Sequence, residues 1–273
     1  MLTAEKPAAA LRRFVRCYVQ VTDHFPTQAF IRPVPARTAI ALDFMLGDLY
    51  EAEVQIGDQS RNETVHSVAL IGVQGFRRVQ LAMHGRVDEF VILFQPGGLS
   101  GLFPVPSDLF TNQHFDGHAV LGSSVEELRC RLGEARSFVE RIRLADEYLM
   151  ALVPHGADSS VIAAARQIHD HRGCLAISGL AQMAALSLRQ FERRFIAEVG
   201  MSPKLYARVA RFEAALEIKM RAPDLRWTDV AHELGYHDQM HMVHDFRQLS
   251  GSTPSDLVPH LGMIVSPEID GSR

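Results

Sequence analysis

The apolar positions of the chain change period about half-way along it. Through the first hundred residues they come in short runs closed by turn residues: Thr38–Leu46 before Gly47-Asp48, Val65–Val73 before Gly75, Arg78–Met83 before His84-Gly85, and Glu89–Phe94 before Pro96-Gly97-Gly98. Several strands at this spacing predict an antiparallel sandwich or barrel rather than βαβ units. From Ser124 the pattern shifts. Val125, Leu128 and Leu132, then Phe138, Ile142, Ala145, Leu149 and Leu152, recur every three or four residues and predict an amphipathic helix pair up to Val153. From Val161 on the pattern is helical throughout, with Gly and Pro confined to breaks. The expected class is α+β. An N-terminal antiparallel β sandwich- or barrel-like domain, ending in helices, fills residues 1–155, and an all-α domain fills 161–262. Val153–Ser160 is expected to be a short linker and Ser266–Arg273 a frayed end.

The helical half contains an internal repeat. Phe195-Ile-Ala-Glu-Val-Gly200-Met-Ser202-Pro203 matches Phe246-Arg-Gln-Leu-Ser-Gly251-Ser-Thr253-Pro254 at an offset of 51 residues. In each copy a glycine able to take the left-handed conformation ends one helix, and Ser/Thr-Pro starts the next as N-cap and first helical residue. Upstream of each lies a shorter apolar face: Leu180, Ala181 and Ala184 in one, Val230, Ala231 and Leu234 in the other. Each copy is therefore expected to be helix, tight turn, helix: Ile177–Ala185 with Leu188–Val199, and Trp227–Leu234 with Asp238–Leu249. This is the helix-turn-helix unit, whose second helix fits a major groove ~12 Å wide. Between the copies, Pro203 to about Arg221 reads as one helix of roughly 28 Å, enough to set two recognition helices about one DNA turn apart.

These residues place the region from about Val161 to Leu257 close to a known family. Leu180-Ala181, Ser187, Arg193-Arg194-Phe195, Gly200-x-Ser202-Pro203-x-x-Tyr206, Arg211-Phe212-x-x-Ala215, Val230-Ala231, Gly235-Tyr236-x-Asp238, Asp245-Phe246-Arg247 and Gly251-x-Thr253-Pro254 resemble the DNA-binding domain of AraC/XylS-type bacterial transcription regulators. Phe94-Gln-Pro-Gly-Gly-Leu99 and Leu42-Asp-Phe44 resemble, more weakly, the β-rich domain that some members carry in front. The resemblance implies a promoter-binding regulator with a sensory or dimerisation domain at its N-terminus.

Helical spacing turns Phe191 and Phe195 inward and Arg189, Gln190 and Arg193 outward. Arg189 and Arg193 lie on one face at i,i+4, an arrangement suited to guanine O6/N7. Arg194, Lys204 and Arg208 are expected nearer the phosphates, where they position without specifying, and Ser187 is a further DNA-binding candidate. Arg211, on the linking helix, is expected in an ion pair and is not assigned to DNA. In the second copy the exposed face is Gln239, Met240, His241 and His244. The family usually has Arg where His244 stands and often a small polar residue at Met240, so the first copy is expected to dominate affinity. His237, His241 and His244 share a face at i, i+4, i+7, but no carboxylate completes a metal cage there, and groove-facing or capping roles are preferred.

Charge at first argues against nucleic acid. The 273 residues hold 28 Lys+Arg against 32 Asp+Glu, a net charge of −4. The excess is local, however: residues 1–159 carry −4 and 160–262 carry +1, while within the latter Ser187–Arg211 is +4 and Trp227–Arg247 is −3. The average conceals a basic first unit. No apolar run reaches the ~18–20 residues of a membrane span. The N-terminus carries Glu5, Lys6, Arg12 and Arg13 and lacks an apolar export segment, so a cytoplasmic location is expected. Cys17, Cys130 and Cys174 are too scattered for a disulfide framework or a thiolate metal site.

No catalytic constellation emerges. There is no phosphate-cradling glycine loop and no serine elbow, Gln95–Gly98 reads as a turn, and His66, His84, His114 and His118 are scattered. The expectation is a non-enzyme without cofactor or metal, binding double-stranded DNA as a homodimer, with an apolar N-terminal interior open to a small effector. The rival reading is a cytoplasmic β-barrel enzyme or small-molecule binder whose helical half mediates protein contacts.

Overall fold

A computed structural model describes residues 1–56, 59–63, 65–75, 78–154 and 159–258. Its sheet has eight strands: β1 (Leu2–Glu5), β2 (Val15–Val34), β3 (Ala41–Met45), β4 (Glu51–Ile56), β5 (Gln59–Glu63), β6 (Val68–Ile71), β7 (Arg78–Phe94) and β8 (His114–Asp116). β7 is its spine. β2 pairs antiparallel along its whole length, from Val15 opposite Phe94 to Val34 opposite Val79. On the other side β3 takes the C-terminal part of β7 and β4 the N-terminal part. β6 and β8 extend the sheet beyond β3, β5 closes a hairpin with β4, and β1 covers the free side of β2.

The expected antiparallel β domain is present, with two local corrections. His84-Gly85 is not a turn between strands: β7 runs through it, and the irregularity is a bulge, with Phe25 opposite Gly85 but Phe30 opposite Met83. Gly85 has φ +67°, and the next amide, Arg86 N–H, donates to the Asp48 carboxylate at 2.8 Å, so a side chain at 85 would collide with Asp48. The bulge lets the β2–β7 ribbon bend. Val21 and Val34, from opposite ends of β2, and Leu81 and Val91, from opposite ends of β7, then line the same cavity. The second correction is at 38–40: strand pairing begins only at Ala41, because the preceding residues dock on the helical half.

After β7 come α1 (Gly98–Leu102), α2 (Gly117–Leu121), α3 (Ser123–Glu134) and α4 (Phe138–Met150). The last two are the predicted amphipathic pair, burying Val125, Leu128 and Leu132 and then Leu144, Ala145 and Leu149. The buried Arg141 guanidinium forks onto Asp88 of β7 at 2.6 and 3.0 Å, and Tyr18 O–H donates to Asp146 at 2.7 Å, fixing α4 on the sheet. The linker expected at 153–160 lies partly outside the described residues, and the tail at 266–273 wholly outside them. Cys17 is buried, and burial pushes its thiol up to about 11, so it is no reactive thiolate at neutral pH.

The helical half runs α5 (Ser160–Asp170), α6 (Ile177–Met183), α7 (Leu188–Val199), α8 (Pro203–Arg221), α9 (Trp227–Glu233), α10 (Gln239–Ser250) and α11 (Pro254–Leu257). The two copies of the repeat take one conformation. Gly200 (φ +101°) and Gly251 (φ +81°) end α7 and α10, and the side chains of Ser202 and Thr253 cap α8 and α11 ahead of their first-turn prolines. Phe191, Phe195 and Tyr206 form the first core; Phe212, Trp227 and Phe246 form the second. Among the described residues no helix is long and apolar enough to cross a membrane.

On α5, burial, aided by Arg16, holds the His169 imidazole down at about 3, and its Nδ1 has no hydrogen-bond partner among the described residues. The folded protein therefore keeps His169 neutral while the unfolded chain protonates near 6.5. Its contribution is complete above about pH 6.5 and is lost as pH falls towards 3. Going from pH 7.5 to 5 is expected to remove about 1–2 kcal/mol through this residue. Chemical denaturation at both pH values should show a smaller difference in His169→Leu than in the parent.

Candidate nucleic-acid interface and a buried cavity

The recognition surface begins with the ends of α7. Ser187 accepts from the Gln190 amide, while the Gln190 side-chain oxygen accepts from Ser187 N–H and O–H at 3.1 and 2.8 Å, a reciprocal capping box. These two residues thus hold the helix start, leaving the Gln190 side-chain amide nitrogen to face outward. Arg189 and Arg193 are exposed, one turn apart, and neither makes a hydrogen bond or ion pair among the described residues. Lys204, at the start of α8, is exposed in the same way. Arg194 differs, since its guanidinium is paired with Glu198 at 3.0–3.1 Å.

Two other cations of the basic segment are structural. Arg208 bonds the buried Asp245 at 2.7 Å and also Gln248, tying α8 to α10. Arg211 bonds the Gly173 carbonyl at 2.9 Å and lies 5.2 Å from the Tyr236 ring centre. Its anchor is a carbonyl and an aromatic face, where an acidic partner was expected. The +4 counted along the sequence thus reduces, at the surface, to Arg189, Arg193 and Lys204 beside the exposed Glu192.

The negative balance of the second unit is likewise consumed internally. Asp229 pairs with Arg226 at 3.0 Å, Glu233 with Arg172 at 2.7 Å and Asp245 with Arg208, while Asp238 caps α10 by accepting from His241 N–H at 2.7 Å. The outer face of α10 therefore carries no exposed carboxylate. Gln239, Met240, His241 and His244 are all exposed on it. His244 Nε2 lies 2.8 Å from the Gln248 amide, and the His241 ring stands edge-on to Tyr236. Arg247, exposed one turn beyond His244, is a cation on this face that spacing arguments passed over. No three His, Cys, Asp or Glu side chains gather as a metal cage among the described residues, the trio on α10 included.

Two domain families match the chain, a helix-turn-helix domain over residues 180–258 and a domain of unknown function, DUF6597, over residues 4–116. The helix-turn-helix half is an AraC-type DNA-binding domain. Among solved structures, the regulator is similar to ToxT from Vibrio cholerae O395, at 10% identity over 90% of this chain and 98% of that one, with a TM-score of 0.50. An apo ToxT variant from strain SCE256 matches with a TM-score of 0.52 at 10% identity, over 89% and 97% of the two chains. At that identity the likeness is one of fold. The C-terminal domain of AraT, a response regulator from Geobacillus stearothermophilus, aligns over 39% of this chain and 88% of its own at 22% identity, TM-score 0.35. A comparison with curated proteins finds no match.

The second feature of the regulator is a cavity of about 160 Å³ inside the curled sheet. Its walls are aliphatic, but one end is polar: Arg32, Arg37, Asp43, Tyr50, Gln74 and Glu89. Tyr50 O–H donates to Glu89 at 2.6 Å, and Arg32 pairs with Glu89 at 3.5 Å. Burial works against the Arg32 charge, but Glu89, Tyr50 and Asp43 outweigh it and hold the guanidinium above its usual range. Burial, reinforced by Glu89, pushes the Asp43 carboxyl well above the ordinary carboxylate range. Arg37 is lowered to about 10, chiefly by burial, and so remains charged at neutral pH. Of the four histidines taken as scattered, His66 and His114 approach to 6.2 Å between ring centres, and His114 pairs with Glu63 at 3.0 Å.

The segment at this polar end also touches the helical half. Arg37 exchanges backbone hydrogen bonds with Gln74 at 2.9 Å, while its neighbours reach outward. Thr38 N–H and O–H donate to Glu213 of α8 at 3.0 and 2.6 Å, and Ala36 N–H donates to the Leu249 carbonyl of α10 at 3.0 Å. Thr111 O–H donates to the Gly200 carbonyl at the end of α7. Three consecutive residues thus join the cavity to the linking helix and the second recognition helix.

Proposed function

We propose that this transcription regulator sets α7 and α10 into successive major grooves on one face of double-stranded DNA, and that a small molecule in the sheet cavity modulates the binding. The observation that carries the reading is the pairing of two capped recognition helices, cross-tied by Arg208–Asp245, with Arg189 and Arg193 exposed on α7 and no exposed carboxylate on α10. Arg189 and Arg193 read bases, and Lys204, Arg194 and the α7 start at Ser187 and Gln190 hold phosphates. On α10, Gln239 suits adenine, Met240 suits a thymine methyl, and His241 and His244 add polar contacts. Modulation runs through Ala36–Thr38, which a ligand touching Arg37 would shift against Glu213 and Leu249.

No residue is given a catalytic role, and the reading includes a cytoplasmic location, where the DNA partner is. The reading includes a homodimer; on α4, Val139 is 75% exposed and Met150 45% exposed, offering apolar contact to a second copy. Light scattering at micromolar concentration tests that point.

The central test is a gel shift on DNA from upstream of the protein's own gene, with salt titration. Sequence-selective binding should weaken with salt along a log–log slope of about −2 to −4, as expected for a few phosphate-directed cations. Binding that ignores sequence, or no binding at all, would favour the small-molecule binder whose helices serve protein contacts.

A further inference from the structure

The cavity's polar end is chemically unfinished. Arg37 Nε and Nη2 are buried without a hydrogen-bond partner among the described residues, and so are Asp43 Oδ1 and Gln74 Oε1. Asp43 is 6% exposed and Gln74 4%, so bulk water does not satisfy them. Such groups cost free energy when left bare and are uncommon in folded proteins. Nε and Nη2 form the side-on edge of a guanidinium, whose two N–H bonds point the same way and match the two oxygens of a carboxylate.

Charge points in the same direction. Glu89 is committed to Arg32 and Tyr50, while the Arg37 guanidinium, with Asp43 and Glu213 near enough to act on its charge, makes no ion pair among the described residues. The pocket therefore presents an unpaired guanidinium edge opposite an aliphatic wall. Its volume of about 160 Å³ bounds the occupant. A cavity on the order of 150 Å³ holds one benzene-sized ring. A long alkyl chain would have to run out through the pocket's open side.

We infer that the cavity binds a compact monocarboxylic acid, about one six-membered ring in size, with its carboxylate on the Nε/Nη2 edge of Arg37 and its apolar body between β4 and β7. Asp43, raised towards its protonated form, can donate to that carboxylate, whereas Gln74 Oε1, an acceptor, does not contact it. The inference rests on the reading of the cavity as the regulator's effector site and names the class of effector.

Titration calorimetry on the full chain tests it, with cyclohexanecarboxylate as the acid, cyclohexanecarboxamide as its neutral counterpart and decanoate as the long-chain acid. One saturable site is expected for cyclohexanecarboxylate, with the carboxamide and decanoate each weaker by roughly 10-fold or more. Arg37→Gln should weaken the acid roughly 10- to 100-fold and leave the carboxamide unchanged, with Arg37→Lys falling between. Ala52→Leu, which fills the cavity from β4 while keeping Arg37, should also abolish acid binding and keeps the test open if the Arg37 variants fail to fold. Equal affinity for acid and carboxamide, tighter binding of decanoate, acid binding that survives Arg37→Gln or Ala52→Leu, or no saturable binding of the acid would each overturn the inference. A gel shift without ligand, run alongside, separates the two readings: DNA binding without acid binding removes only the ligand class, whereas loss of DNA selectivity removes the regulator reading itself.

Discussion

Arg193→Ala is expected to weaken binding to the protein's own upstream DNA by about 10- to 100-fold, the effect of losing one bidentate base contact. His244→Ala is expected to weaken it less than about 5-fold. The asymmetry comes from the two helix faces. Arg193 stands exposed with no partner among the described residues, and Arg189 is beside it one turn earlier, so the guanidinium pair is available to guanine. His244 is already engaged with Gln248, and any groove contact must compete with that bond. The loss in Arg193→Ala should also depend on sequence. Measured on a panel of single-base variants of the bound site, it should vanish where the contacted guanine is replaced. Equal losses in the two variants would mean that both helices read bases with similar strength. Lys204→Ala should instead weaken all sequences alike and reduce the salt slope by about one.

The helical half was legible because its signals are local. A glycine forced to a positive φ, a Ser/Thr-Pro start and an aromatic five residues before the glycine specify one turn geometry in both copies, and Pro203–Arg221 matches the expected linking helix to the residue. The sheet was less legible. β2 is 20 residues long, yet its Pro26 and Pro33 and its polar middle around Thr22–His24 hide a strand whose partner lies some sixty residues away. β4 and β5 were missed for a related reason: their residues are mostly polar and they pair at the margin of the sheet. His84-Gly85 looked like a turn because a glycine at positive φ serves equally in a hairpin and in a bulge, and only the non-local pairing with β2 decides between them.

Local charge, too, misled until partners were known. The six cations of Ser187–Arg211 and the four carboxylates of Trp227–Arg247 are equivalent in a count, but Arg208 and Asp245 neutralise one another across the two units. The cavity did leave a trace. Asp43 sits inside the apolar run of β3 and Glu89 opens that of β7, and a charged residue amid a strand's apolar positions marks either an edge or a lined interior. Which of the two applies depends on how the sheet closes, and that follows from the bulge at Gly85.

Phe246→Ala should have the largest effect on stability, about 3–5 kcal/mol. The ring is fully buried, 4.7 Å from Phe212 and 5.7 Å from Trp227 between centres, so truncation empties the centre of the second core. The loss should be uneven. Phe246 adjoins Asp245, whose bond to Arg208 holds α10 to α8, whereas the first core of Phe191, Phe195 and Tyr206 does not rely on it. Amide hydrogen exchange should therefore rise first in α9, α10 and α11, with α7 protected to a higher denaturant concentration. DNA binding should fall to the level that α7 supports, still salt-dependent and still sensitive to Arg193→Ala. Uniform loss of protection across α5–α11 would show instead that the two helix-turn-helix units unfold as one body. In that case α8 and the Arg208–Asp245 tie act as part of a single continuous core rather than as a spacer between two.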